Sequence, residues 1–186
     1  MRSLHQRIAV TTTALALATG CFVTGTAHAA VLPAGSPLSA AGAAGSCSQA
    51  YLPLPDPACT PGAVNPSVTQ STINSTICVS GWTGTVRPPT SYTNKLKVQQ
   101  IIAYGYSDTN PSDYEEDHFI PLELGGAPRD PRNLWPEPHS GVGTSGQKDA
   151  VENALKRAVC SGRVELAPAQ NAIATDWTTA LSSLGL

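Results

Sequence analysis

The apolar positions of this chain fall into two regimes that meet near residue 67. From there on they recur with helical or strand periods, and before it they do not. Val151, Ala154, Leu155, Ala158 and Val159 share one side of a helical projection. Asp149, Glu152, Asn153 and Lys156 share the other at i, i+3, i+4 and i+7, so the pattern predicts an amphipathic helix over about 147–159. Ser145 is placed to cap it and Gly162 to stop it. A second helix is expected over 94–105, with Val98, Ile101 and Ile102 on its apolar side and Gly105 as its end. A third is expected over about 167–184, where Ile173, Trp177 and Leu181 repeat at i, i+4 and i+8. Residues 70–80 alternate enough for a strand, although 69–74 also fit a short helix. Residues 81–89 read as a turn and an irregular extended segment with Trp82 in the core, 108–113 as a loop, and 141–146 as a flexible link.

Two short apolar runs remain, ending near Ile120 and starting at Asn133. Pro121 and the Gly125-Gly126 pair between them end one strand and permit a tight loop back to the next. The whole predicts one α+β domain over 67–186, enough chain to bury a single core. Residues 30–66 are Ala, Gly, Ser and Pro with little periodicity, and are expected to form a disordered leader.

Residues 1–29 have the parts of a secretory signal. Arg2 and Arg7 precede an apolar run from Ile8 to about Val23, and Ala27-His28-Ala29 is a small-x-small cleavage site. A secreted, extracellular protein is expected. Lipidation at Cys21 to make a cell-envelope lipoprotein is the lesser alternative, because the large aliphatic residue of a lipobox is missing upstream. No other run approaches the ~20 apolar residues of a membrane span.

Export leaves Cys47, Cys59, Cys78 and Cys160, an even number in an oxidising compartment. Of the three possible pairings, Cys47–Cys59 would close a Pro-rich loop. Cys78–Cys160 would tie the start of the domain to the helix after the hairpin. There is no Cys-x-x-Cys, so a structural zinc is not indicated.

The chemistry concentrates between 113 and 139. Asp117-His118 is followed by Pro121-Leu122, Gly125-Gly126 and then Asn133-Leu134. A lone Asp-His pair is common; this spacing is not. Asp-His-x-x-Pro-Leu-x-x-Gly-Gly with a returning Asn-Leu resembles the HNH nucleases of the His-Me finger superfamily. The likeness runs from about Tyr114 to Pro136, continues through the following helix, and does not reach before about Gln70.

The resemblance implies a small ββα-metal core with additional helices, preceded by the leader. It implies a metal-dependent endonuclease in which His118 is the general base, since an imidazole titrates near neutrality. Asn133 is expected to bond the imidazole nitrogen that faces away from substrate. Asp117 is implied as a metal ligand, although simple strand alternation points it to the side opposite His118. The remaining metal-side group is left between Asn153 on the helix, His139 six residues after Asn133, and Asp149 or Glu152. A hard ion, Mg²⁺ first, suits such oxygens; Mn²⁺, Zn²⁺ or Ni²⁺ also fit an Asp and a His.

Net charge changes the picture of substrate binding. The formal charge is −2, and loss of Arg2 and Arg7 with the signal takes it to −4. Few cations remain to neutralise phosphates, so binding to DNA or RNA would be weak and salt-sensitive. Arg87, Arg132 and Lys156 are the candidate phosphate contacts, with Arg129 beside them. A monomer is expected, and no protective partner is identified. The competing reading is a secreted ββα module without activity that binds a partner at the cell envelope; a metal-dependent hydrolase of smaller phosphoesters is a third.

Overall fold

Pro136 and Pro138 dictate how the hairpin pairs. Strands β1, Tyr114–His118, and β2, Leu134–Pro138, run antiparallel in the register Tyr114↔Pro138 through His118↔Leu134. Backbone bonds close at both ends of the ribbon, from Phe119 N–H to Asn133 O (2.9 Å) and from His139 N–H to Asp113 O (3.0 Å). Hydrogen-bonded pairs alternate along an antiparallel ribbon, so both prolines fall on pairs that need no N–H.

The computed structural model describes residues 45–141 and 143–186. The signal segment, Cys21 and residues 30–44 lie outside them. Helices α1 (Trp82–Val86) and α2 (Thr90–Ala103) precede the ribbon; α3 (Ser145–Cys160), α4 (Leu166–Asp176) and α5 (Ala180–Ser183) follow it. The architecture is therefore α+β, with helices around one two-stranded sheet. No helix among the described residues is long and apolar enough to cross a membrane.

Two hydrophobic clusters hold it together. One joins Ile73, Ile77 and Leu124 to Leu155 and Val159 of α3, Ile173 of α4 and Trp177. The other is aromatic: Tyr104, Tyr106, Tyr114, Phe119 and Trp135 around Ile101. The disulfides are Cys47–Cys59 and Cys78–Cys160, and the second ties the chain beside Ile77 to the last residue of α3.

Several expectations are corrected. Residues 70–80 form no strand but a 3-10 turn at Ile73–Ser75 and further turns. Ile73 and Ile77 are both buried four residues apart, and the Thr72 and Thr76 hydroxyls donate to Ser67 O and Thr72 O, so the chain coils. Helix α2 starts at Thr90, because the Pro88-Pro89 pair blocks it only up to that point. It ends as expected, with Gly105 at φ +67° and Tyr106 N–H bonded back to Ile101 O.

Of the apolar side expected for α2, Ile101 is buried but Val98 and Ile102 are exposed; Leu96 takes their place inside. Trp82 is half-buried at the start of α1 rather than central. The last helix breaks in two, because Asp176 Oδ1 accepts from both Thr178 N–H (2.9 Å) and Thr178 Oγ1 (2.6 Å) and ends α4 in an Asx turn.

The disorder expected over 30–66 is corrected for its described part, 45–66. Residues 45–66 pack on the domain. Asp56 accepts from Ser48 N–H and Ala58 N–H, and Cys47–Cys59 closes the loop around it. Gly62 N–H then donates to Arg132 O, Asn65 N–H to Gly125 O, and Ala127 N–H to Ala63 O. Pro and Gly here are turn formers fixed by a disulfide and by backbone pairing, which composition alone does not reveal.

Candidate functional site

Asn133 does not touch His118. It is fully buried, and its carboxamide is spent on main chain: Oδ1 accepts from Ile120 N–H (2.9 Å) and Ala63 N–H (3.3 Å), while Nδ2 donates to Ile120 O (2.9 Å) and Ala127 O (3.1 Å). The expected bond to the imidazole is thus corrected. An amide with two acceptor sites and two donors is well matched to four backbone groups. Its role is to pin the loop that leaves His118.

That loop returns the partner of the imidazole. His118 Nε2 lies 3.1 Å from Pro128 O. A carbonyl oxygen only accepts, so Nε2 carries the proton and Nδ1 keeps its lone pair. His118 is 5% exposed. Burial lowers its pKa, opposed by the Pro128 bond and the Asp117 charge, and the Arg87 and Lys148 charges push the same way as burial. Burial thus favours the neutral imidazole.

Asp117 projects to α3, where it meets a residue that sequence reasoning passed over. Lys148 Nζ donates to Asp117 Oδ2 (2.7 Å), to His118 O (3.1 Å) and to Glu152 Oε1. Three N–H groups meet three oxygens. Lys148 is 1% exposed, and an ammonium tolerates that only when fully paired. Lys148 falls at i, i+7 and i+11 with Leu155 and Val159, which are buried, and Glu152, expected on the polar side, is corrected to that same buried stripe. A lysine on the apolar stripe of a helix calls for partners.

Glu137 adds to this cluster. It is buried and neither carboxyl oxygen has a partner in the structure. Burial first, then the Asp117 charge, raise its pKa to about 9, against the pull of Lys148. Glu152 is raised to about 8, again chiefly by burial, with Lys148 opposing. For Lys148 burial acts downward, yet Asp117, Glu152 and Glu137 together outweigh it and its pKa rises.

The shifts of Lys148 and Glu152 pull the pair in opposite senses, and the charge count decides between them. The three carboxylates together favour the charged ammonium, while burial favours the protonated forms of Glu137 and Glu152.

Arg87 lines a cleft of about 280 Å³ together with Pro121, Leu122, Glu123, Asp149, Glu152 and Asn153. The segment that follows His118 forms one wall of this cleft and α3 the other. Asn153 faces it, but its Nδ2 donates to Asp149 O (2.8 Å). Lys156 Nζ lies 3.5 Å from Glu123 Oε2 at the cleft edge.

Two predicted residues fall away from it. His139 follows the strand end opposite His118 and bonds Ser145 Oγ through Nδ1 (3.0 Å). Five strand residues separate the two imidazoles, roughly 15 Å along the ribbon. Arg132 is 68% exposed at its side chain and forks onto its neighbour Asp130 through Nε (3.0 Å) and Nη2 (2.6 Å). Arg129 lies over the Tyr92 ring, 5.9 Å from its centroid.

Among the described residues, no group of three His, Cys, Asp or Glu side chains converges closely enough to hold a metal ion. Compared with family models, with curated proteins and with solved structures, the chain matches none.

Proposed function

We propose that the protein is an exported nuclease of HNH type, its hairpin and α3 forming a ββα core that hydrolyses phosphodiester bonds of DNA or RNA with little sequence preference. The observation that carries this reading is the tautomer of His118. Donation from Nε2 to Pro128 O leaves Nδ1 unprotonated on an imidazole kept neutral by burial, which is the state a general base requires. Nδ1 takes a proton from water, the hydroxide oxygen bonds to phosphorus, and the bond to the leaving oxygen breaks with its electron pair staying on that oxygen, which takes a proton from solvent. Arg87, in the adjoining cleft, offsets charge on the phosphoryl oxygens. Asn133 acts through the loop it pins and is a positioning residue. Two disulfides suit the oxidising compartment that an exported chain meets.

The resemblance also implies a divalent ion, Mg²⁺ first, held by Asp117 and a group on the following helix. The side chains do not fit that role as they stand. The Lys148 ammonium already lies between Asp117 and Glu152, the Asn153 amide is bonded within its helix, and His139 is at the far end of the ribbon.

A second reading, a secreted ββα module that binds a partner and cuts nothing, is favoured by the small exposure of His118. The two separate by incubating the purified, oxidised mature protein with plasmid DNA and with RNA, in Mg²⁺, Mn²⁺ or EDTA, beside His118→Ala. Cutting that disappears in His118→Ala supports the nuclease. No cutting under any condition, by protein shown to be folded, moves the assignment to the binding module.

A further inference from the structure

We propose that the buried ammonium of Lys148 is the resident cation of this site, seated among the Asp117 and Glu152 carboxylates and the His118 carbonyl where a hard divalent ion would otherwise sit, and that removing it opens a latent metal site. The donor set is what suggests this. Asp117 Oδ2, His118 O and Glu152 Oε1 converge on one point, and all are oxygens of the kind Mg²⁺ and Mn²⁺ take. Glu137, on β2, is buried with both oxygens unpartnered and bonds none of these groups.

The charges point the same way. The Asp117 and Glu152 carboxylates both bond the single +1 group, so two negative charges face one positive charge. A +2 ion in place of the ammonium would match them more closely. Lys148 is an internal part of the fold, with no exposed face from which to swing away, so an added ion must displace a fully bonded ammonium. In the wild-type protein the pocket is therefore closed to metals. Lys148 is a positioning residue here: it fixes Asp117 and the main chain of His118 from behind and touches no substrate.

This deepens the reading of the ribbon and α3 as one site, and its test uses no nucleic acid. A protein that cuts nothing can still satisfy it, and a protein that cuts can still refute it. Full-length mature wild type, Lys148→Met and Lys148→Met/Asp117→Asn are titrated with Mn²⁺ by calorimetry and melted with and without it. Lys148→Met should bind Mn²⁺ and show a saturable rise in melting temperature of several degrees, absent from wild type and lost in the double variant. Wild type that binds Mn²⁺ and loses it on Asp117→Asn overturns the proposal, as does a folded Lys148→Met that gains no binding. Should Lys148→Met not fold even with Mn²⁺, the Lys148 ammonium nitrogen resonance of wild type decides. A signal unmoved by saturating Mg²⁺ supports a resident cation, and one displaced by Mg²⁺ refutes it.

Discussion

Asn133 grips the main chain of Ile120 on both sides of its Cα, accepting from its N–H and donating to its O at 2.9 Å each. The same carboxamide reaches Ala127 and Ala63, so three separate segments meet on one buried side chain. Asn133→Ala would leave several main-chain groups unsatisfied, at a cost of roughly 2–4 kcal/mol. Chemical denaturation should show this loss, and any cleavage activity should fall with it although Asn133 never meets substrate. Wild-type stability in Asn133→Ala would remove the loop-pinning role.

Gly126 tests the same loop from the other side. A Cβ there would clash with Ile120 O and stand 2.8 Å from Asn133 Nδ2. Gly126→Ala is therefore expected to destabilise by on the order of 1–3 kcal/mol through overpacking against backbone that cannot yield. A thermal melt matching wild type would contradict this.

Much of this region was legible beforehand. The hairpin, its Pro and Gly-Gly loop and the amphipathic helix after it follow from period and turn chemistry; cysteine number predicts two disulfides but leaves three pairings, of which the structure forms the preferred one. What was not legible were contacts between segments distant in sequence. Asn133 is drawn from the imidazole because Ala63 and Ala127 arrive from either side to claim its amide. The partner of Lys148 was not legible either, because Asp117 reaches it from β1, 31 residues away. Between the strand and the short helix that residues 69–80 allow, threonine propensity favours the strand, while its hydroxyls bond locally here and favour turns and the 3-10 helix at Ile73–Ser75.

Glu116 makes stability depend on pH. Both of its carboxyl oxygens are buried without a partner, and burial followed by the Asp117 charge raises its pKa to about 9, with Lys97 opposing. The folded chain holds this proton and the unfolded chain releases it near 4.5. Protons bound in the folded state thus exceed those in the unfolded state between these values, and stability falls as pH climbs from about 4.5 to about 9. Glu116→Gln should flatten that decline and stabilise the protein by on the order of 1–3 kcal/mol at its alkaline end. Melting curves across pH, wild type beside variant, check the sign.

His118 carries the opposite dependence. Its folded pKa lies below the ordinary 6.5 through burial, so its contribution is fully present above that value and is lost as pH falls through it toward the folded pKa. The same shift keeps the base unprotonated further into acid. Cleavage by the wild type should hold to pH values below 6.5 before its acidic limb appears. An acidic limb centred above 6.5 would mean that the imidazole is not neutral as described.

Cys78–Cys160 spans 82 residues. By chain entropy that loop removes roughly 4 kcal/mol of freedom from the unfolded state. Strong reductant should therefore lower the melting temperature markedly, and a melt that does not move would refute the bridge's structural role.

The segment that crosses the hairpin loop through Gly62, Ala63 and Asn65 sets where this unit begins. A polypeptide starting at Val68, where the periodic pattern starts, would lack the strap over Arg132 and Gly125, and its loop would open readily to proteases. Oxidation and folding are thereby joined: until Cys47 and Cys59 form their bond no cross-link holds that strap, and Asn133, which fixes the loop leaving His118, lacks a secured partner at Ala63.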